Sequence, residues 1–351
     1  MNISFTVMTG FAKTHSAFEL KFPMTGVTKV GRIFGEHALP LSQCKESCAL
    51  QKTTPSPRRQ PLSIHLIANR FAGKGLRLLR KELEGLEDVT WHLPESVDEA
   101  TETMESLRGQ CERIVVAGGD GSFHLASRVL GDGASPDQTV GFVSTGTGSD
   151  FMRSFASGSL QTQIEIALKG ATRPFRPGQV QSKEGFRAFT NVASLGVSAA
   201  VAHAIEGYLK KLGPFGYTVA MIQGILTYRS TPMTVHVDGK LLMEGLGYLT
   251  AVGCGRYFGG GKKITPHADP MGDLLHAVAV KDEGILATLK ATRRLNVGEH
   301  IDLSLCEHAV GEEIRIVGQG LRSELDGELG PHGDLTVRRG PVAFQLAVPP
   351  E

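Results

Sequence analysis

Residues 114–122 read IVVAGGDGS: four apolar residues suited to a buried strand, two glycines, an aspartate, a third glycine and a hydroxyl. Glycine lets the backbone approach a ligand closely. Gly118, Gly119 and Gly121 can therefore turn successive N–H groups toward an anion, and a helix starting near Ser122 adds its positive end. Asp120 is the departure from a neutral phosphate loop. A carboxylate beside bound phosphates is repulsive unless a divalent cation lies between them or a proton must be removed there, so Asp120 points to Mg–nucleotide chemistry. A second loop repeats the pattern: the apolar run TVGFVS at 139–144 leads into Thr145-Gly146-Thr147-Gly148-Ser149-Asp150-Phe151. Either loop alone is as readily a plain tight turn. Two of them at the ends of neighbouring strands in an open parallel sheet face one crevice, where such sheets bind ligands.

The elements that must position these loops follow a regular alternation. The pattern predicts a strand over Ser63 to Ala68, a helix over Lys74 to Leu86 with Leu at 76, 79, 83 and 86, a strand over Val89 to Leu93, and a helix over Val97 to Leu107. The strand before GGDGS, its helix with Leu125 and Val129, and the strand at 140–143 continue the series, which specifies a parallel α/β layer. Beyond about residue 175 the character changes. Two more helices are expected, Ala199 to Leu212 and Phe215 to Tyr228. The rest is short strands and turns such as Val237-Asp238-Gly239-Lys240, a β-rich second domain. The expected division is 1–60 a disordered leader, 61–175 the α/β domain and 176–334 the β-rich domain. The last strand, Val342 to Val348, is free to return to either domain, so 335–351 could complete the first.

Composition bounds the function. With 351 residues, 41% hydrophobic and 21% charged, the chain is long enough for two cored domains. No apolar run approaches the ~18 residues of a transmembrane helix. Residues 1–60 hold eight Lys/Arg and three Asp/Glu, leaving 29 against 33 for the rest, so the folded body is no basic nucleic-acid binder. The leader's composition fits an organelle transit peptide and equally a start assigned too far upstream. Five scattered cysteines without a zinc spacing suggest reduced thiols and a cytoplasmic setting.

With GGDGS, GTGSD, Gly259-Gly260-Gly261-Lys262 and Asp326-Gly327-Glu328 in this order, residues 62–348 resemble the diacylglycerol kinase catalytic-domain family, which includes bacterial lipid kinases and sphingosine kinases. Asn69 to Gly75 (NRFAGKG), Asn191 to Gly196 (NVASLG), Gly213 to Tyr217, and Ile264-Thr265-Pro266 with Ala268 add to the likeness. The resemblance implies a nucleotide-binding α/β domain followed by a β-sandwich domain, with ATP and a lipid meeting between them. It places Gly118, Gly119, Asp120, Gly121 and Ser122 on the ATP phosphates and Mg2+, and Gly146, Thr147 and Gly148 in the second nucleotide loop, with Asn69 and Lys74 also on the nucleotide side. Glu328 matches the family's general base, with Asp120 and Asp326 also expected to be catalytic, although Asp326-Gly327 is by itself a hairpin turn.

Several positions depart from the family pattern. Ser122 stands for Thr, His124 for Asn, Ser149 for Asn and Pro94 for Thr, and Ser198 replaces an Asp. His124 is expected to pack or cap. The usual Asp-Gly of the metal-linked segment is Met271-Gly272-Asp273, where Asp269 or Asp273 could still serve a structural Mg2+. The function implied is transfer of the γ-phosphoryl of Mg-ATP to a lipid hydroxyl at a membrane surface, with peripheral contact through apolar cleft-edge residues and little help from anionic lipid. A homodimer is compatible. The alternatives are a catalytically silent lipid- or nucleotide-binding regulator on the same fold and an NAD kinase-like enzyme. The acceptor lipid is left open.

Overall fold

A computed structural model of the protein describes residues 5–6, 19–20, 63–85, 88–131, 137–146, 149–155, 158–206, 224 and 227–350. The chain divides into two units, Met1–Arg58 and Arg59–Glu351. In the first, only β1 (Phe5–Thr6) and β2 (Glu19–Leu20) are described, as an antiparallel pair. The rest of the expected leader lies outside the described residues, as do Thr147, Gly148 and most of the helix expected over 215–228.

The second unit opens with the alternation read from the sequence: β3 (Ile64–Ala68), α1 (Lys74–Glu82), β4 (Val89–His92), α2 (Val97–Leu107), β5 (Arg113–Gly118), α3 (Asp120–Gly131), β6 (Thr139–Ser144), α4 (Asp150–Arg153), α5 (Leu160–Lys169) and β7 (Ala171–Phe175). These strands form a six-stranded sheet in the order β4-β3-β5-β6-β19-β7. All neighbours are parallel except the pair of β7 with β19 (Phe344–Val348). The apolar run of β5 has no polar alternation because both faces are covered. Ile114 and Val116 pack with Met104 of α2 and Phe123 and Leu130 of α3. Val115 and Ala117 pack on the other face with Leu79 of α1 and Ile164 and Ala167 of α5. Ser96 starts α2 by accepting a hydrogen bond from the Glu99 N–H. The last strand, which the sequence left free to join either domain, lies between β6 and β7, so the chain returns to its first sheet before ending.

The β-rich layer begins directly after β7. It comprises β8 (Gly178–Ser182), β9 (Gly185–Phe189), β10 (Val192–Gly196), β11 (Thr231–Val237), β12 (Lys240–Gly253), β13 (Leu275–Lys281), β14 (Cys306–Gly311), β15 (Ile314–Val317), β16 (Arg322–Leu325), β17 (Glu328–His332) and β18 (Leu335–Arg339). The main path runs β17-β16-β10-β12-β11-β15-β18-β8-β9, and β13 bridges β12 to β14. The expected turn at Asp238-Gly239 joins β11 to β12, with φ of 49° and 75°. One core gathers Phe189, Leu195, Val235, Val252 and Ile314. Another holds α6 (Val197–Glu206) and α7 (Ile285–Arg294) through Val197, Val201 and Ala291 against Tyr248, Val278 and Leu305. Among the described residues no helix is long and apolar enough to cross a membrane.

Candidate active site

The GGDGS loop lies at the carboxyl end of β5. Its helix starts at Asp120, two residues earlier than the sequence suggested, with the Ser122 and Phe123 N–H groups bonded to the Gly119 carbonyl at 3.0 and 3.2 Å. The foremost N–H groups of a helix have no intrahelical acceptor, so this twelve-residue helix presents its positive end at the carboxyl end of β5. Asp120 turns toward the second loop. Its carboxylate accepts the Asp150 and Phe151 N–H groups at 3.0 and 3.2 Å and so fixes the start of α4. Burial is the main reason its pKa lies above the ordinary carboxylate value; the charges of Asp150 and Asp326 act in the same sense, and the two backbone bonds oppose them.

Asp150 passes the connection on. Its Oδ2 accepts the Gly260 N–H at 2.8 Å, and Arg153 Nε stands 3.6 Å from Oδ1. Gly259, Gly260 and Gly261 form a turn with φ of 57°, 84° and 101°, a sequence of left-handed conformations that requires glycine, closed by reciprocal bonds between Phe258 and Lys262. On the other side, α1 begins so close to the second loop that a Cβ on Gly75 would stand 2.1 Å from the Thr145 carbonyl oxygen. Three glycine-containing motifs far apart in the chain thus meet at one end of the sheet.

The β-rich layer supplies the DGE segment. Asp326 sits at φ 51° between β16 and β17. Its buried carboxylate accepts the N–H groups of Thr190, Asn191 and Val192 at 2.6, 2.9 and 2.9 Å, and lies 2.8 Å from His124 Nδ1. The other ring nitrogen, Nε2, is 3.8 Å from Glu328 Oε2. Burial alone would lower the His124 pKa. The bond to Asp326, that residue's charge and the charge of Glu328 outweigh it and hold the pKa above 6.5. Behind this pair, Glu324 accepts from Ser194 Oγ at 2.5 Å and from the Gly327 N–H, and burial pushes its pKa up to about 7.

A cavity of about 480 Å³ opens between α2, α3 and the ends of β3 and β5. Asn69, Gly119, Gly121, Ser122 and His124 line it from the first layer, and Glu328 from the second. Its deeper wall is apolar, with Ile67, Ala100, Met104, Val116 and Leu125, and Pro94 stands at its side. The Glu328 side chain is 62% exposed, unlike its neighbour Asp326 at 3%.

The site residues expected from the sequence therefore divide. Asn69, Gly119, Asp120, Gly121, Ser122, Asp326 and Glu328 are brought together, and Gly118 packs directly under Ser122. Asn69 also shapes its own turn, accepting the Phe71 N–H at 2.9 Å. Lys74 is the exposed first residue of α1 and Gly146 is exposed on the second loop. Asp269 closes a local turn by accepting the Met271 N–H, and Asp273 pairs with Arg176 at 2.8 Å. Among the described residues no group of three His, Cys, Asp or Glu side chains is placed to hold a metal ion. Sequence reasoning missed the link from Asp150 to Gly260, the buried Glu324, and the position of His124 between two carboxylates. The one available signal was that His124 stands where the family pattern has Asn.

Comparison with known proteins places this architecture. A model of the diacylglycerol kinase catalytic domain matches residues 63–180. A model of the YegS C-terminal NAD kinase beta sandwich-like domain matches residues 191–348. The chain belongs to the diacylglycerol kinase catalytic-domain family. A diacylglycerol kinase of Mycobacterium tuberculosis is 24% identical over 241 residues, 68% of this chain and 77% of that protein. One from Staphylococcus saprophyticus is 23% identical over 258 residues, 72% of this chain and 82% of its own. The crystal structure of a diacylglycerol kinase from Bacillus anthracis str. Sterne shares the fold, with a TM-score of 0.63 at 18% identity over 82% of this chain and 97% of that one. The parallel α/β domain followed by a β-rich domain, as the motif order implied, is the architecture of this family of kinases.

Proposed function

We propose that the protein is an ATP-dependent lipid kinase that transfers the γ-phosphoryl group of ATP to a lipid hydroxyl. The observation that carries the reading is the shared cavity, in which the glycine loop Gly119–Ser122 and the side chain of Glu328 face the same space from two layers. A phosphoryl transfer needs both: donors for the phosphate oxygens, and a group that takes the acceptor's proton.

The fit to a nucleotide rests on the loop. The α3 N-terminus, with its helix dipole and glycines, suits phosphate, and the apolar wall of Ile67, Met104 and Leu125 suits a base or ribose face. ATP supplies the group transferred. Mg2+ would come with it, because a hard cation takes oxygen ligands and the described side chains provide no cluster to hold one alone. Asp120 keeps the two loops in register and would supply a carboxylate oxygen to such an ion. Glu328 would accept the proton of the lipid hydroxyl as its oxygen bonds to phosphorus and the bond to the departing ADP oxygen breaks. His124 and Asp326 are positioning residues: Asp326 holds the imidazole, and the imidazole faces Glu328.

Transfer of label from radiolabelled ATP to a panel of detergent-dispersed lipids, comprising diacylglycerol, monoacylglycerol, a sphingoid base and phosphatidylglycerol, tests the reading. At least one lipid should be phosphorylated. Nucleotide binding without transfer to any of them would assign the fold to a regulator.

A further inference from the structure

Helix α7 places its side chains the wrong way round for an ordinary surface helix. Its inward positions are small or polar, Thr288 and Ala291 being 5% and 7% exposed, whereas Leu286 is 81% exposed, Ile285 45% and Leu289 42%, with Val297 at 60% just beyond its end. A helix stabilised only by its own domain would bury the leucines. Helical spacing puts Ile285, Leu286, Leu289, Lys290 and Arg293 on one outward arc, an apolar stripe bordered by cations. The helix contains no acid, and its last turn carries Arg293 and Arg294, in a body whose acids outnumber its bases by 33 to 29 beyond residue 60. Leu246, 54% exposed, adjoins the segment leading into the helix, since its carbonyl accepts the Asp282 N–H at 3.0 Å.

We infer that the outer face of α7 docks the protein on an anionic lipid surface. The cations of the helix select this occupant, in place of the minor contribution from anionic lipid that the acidic net charge of the body predicts. Leucine and isoleucine enter the boundary between headgroups and acyl chains, and lysine and arginine reach back to lipid phosphates. The helix is also joined to the candidate site. The Lys263 N–H bonds to the Leu295 carbonyl at 2.8 Å, and Lys263 follows the Gly259–Gly261 turn whose Gly260 N–H is held by Asp150. The docking itself stands apart from the kinase reading; only the further step, that the same bilayer delivers the substrate, rests on it.

Sedimentation of the full chain with phosphatidylglycerol vesicles and, separately, phosphatidylcholine vesicles tests the inference. The wild type should partition onto the anionic vesicles and release as salt rises. The double variant Leu286→Ser, Leu289→Ser should lose on the order of 10² in partitioning to both vesicle types. Lys290→Gln with Arg293→Gln should lose about 25-fold on phosphatidylglycerol, fivefold per charge, and almost nothing on phosphatidylcholine. These side chains are exposed, so both variants should melt as the wild type does and retain its rate on detergent-dispersed lipid. Vesicle binding unchanged in both variants overturns the inference. So does conversion of a dimer to a monomer by the serine variant with vesicle binding retained, which would assign the face to a second copy of the chain. A wild type inactive on every detergent-dispersed lipid counts against the kinase reading alone and leaves the vesicle result to stand by itself.

Discussion

Two aspartate–glycine pairs, Asp120-Gly121 in the α/β layer and Asp326-Gly327 in the β-rich layer, carry carboxylates that look equally reactive in the sequence. In the fold both are anchors. Asp120 binds two backbone N–H groups of the second loop, and Asp326 binds three at the entry to β10 and a histidine besides. Glu328, two residues from Asp326, keeps most of its side chain open to the cavity. A carboxylate whose oxygens are spent on amides holds geometry, and one that is not can exchange a proton. The two anchors still differ: Asp120 stands on the loop proposed to carry phosphates, Asp326 behind the proposed base.

The comparison breaks first at Asp120. Asparagine there keeps one acceptor and turns an NH2 toward the second backbone donor, so the GGDGS and GTGSD loops should lose register as well as charge. Turnover should fall by ~10² or more, and affinity for a non-hydrolysable ATP analogue should fall with it. Calorimetric titration showing full affinity would reduce Asp120 to a charge alone. His124→Asn sharpens the other anchor. Loss of a buried bond to a charged partner should cost about 1–3 kcal/mol in urea unfolding. The folded pKa of His124 is raised, so its contribution is complete below 6.5 and fades as pH rises through the folded value. The deficit of the variant should therefore be larger at about pH 6 than at about pH 8; an equal deficit at both would mean that the imidazole acts by packing alone.

Glu324→Gln should have the smallest effect at low pH. The amide can accept from the Gly327 N–H and donate to Ser194 Oγ, replacing the protonated acid. The folded pKa of about 7 exceeds the ordinary 4.5, so the wild type should lose stability between those values as the buried carboxyl ionises. Unfolding curves across that range should slope downward for the wild type and less so for the variant. Parallel slopes would show that Glu324 does not titrate there.

The sequence disclosed the parts of the site that local chemistry fixes. Continuous apolar runs marked β5 and β6 because both faces of their sheet are covered, and glycines marked the loops because only glycine tolerates such turns and such close approach. What it could not disclose was partnership over distance. The amides of Thr190, Asn191 and Val192 reach Asp326 only because β10 pairs with β16, and no spacing in the chain announces that pairing. The same holds for β19, whose apolar pattern suits any buried strand; its place beside β6 is set by the sheet it completes. His124 was legible as a departure but not as a bridge, since its two carboxylates come from the other layer.

The central claim, that Glu328 is the reactive carboxylate in a site held together by Asp120 and Asp326, is tested most directly by Glu328→Gln. Glutamine preserves size but cannot take a proton, so kcat should fall by about 10² to 10⁴, while titration with a non-hydrolysable ATP analogue gives wild-type affinity. Nucleotide affinity lost with kcat retained would contradict the claim, making Glu328 a nucleotide ligand and Asp120 the better candidate for the base.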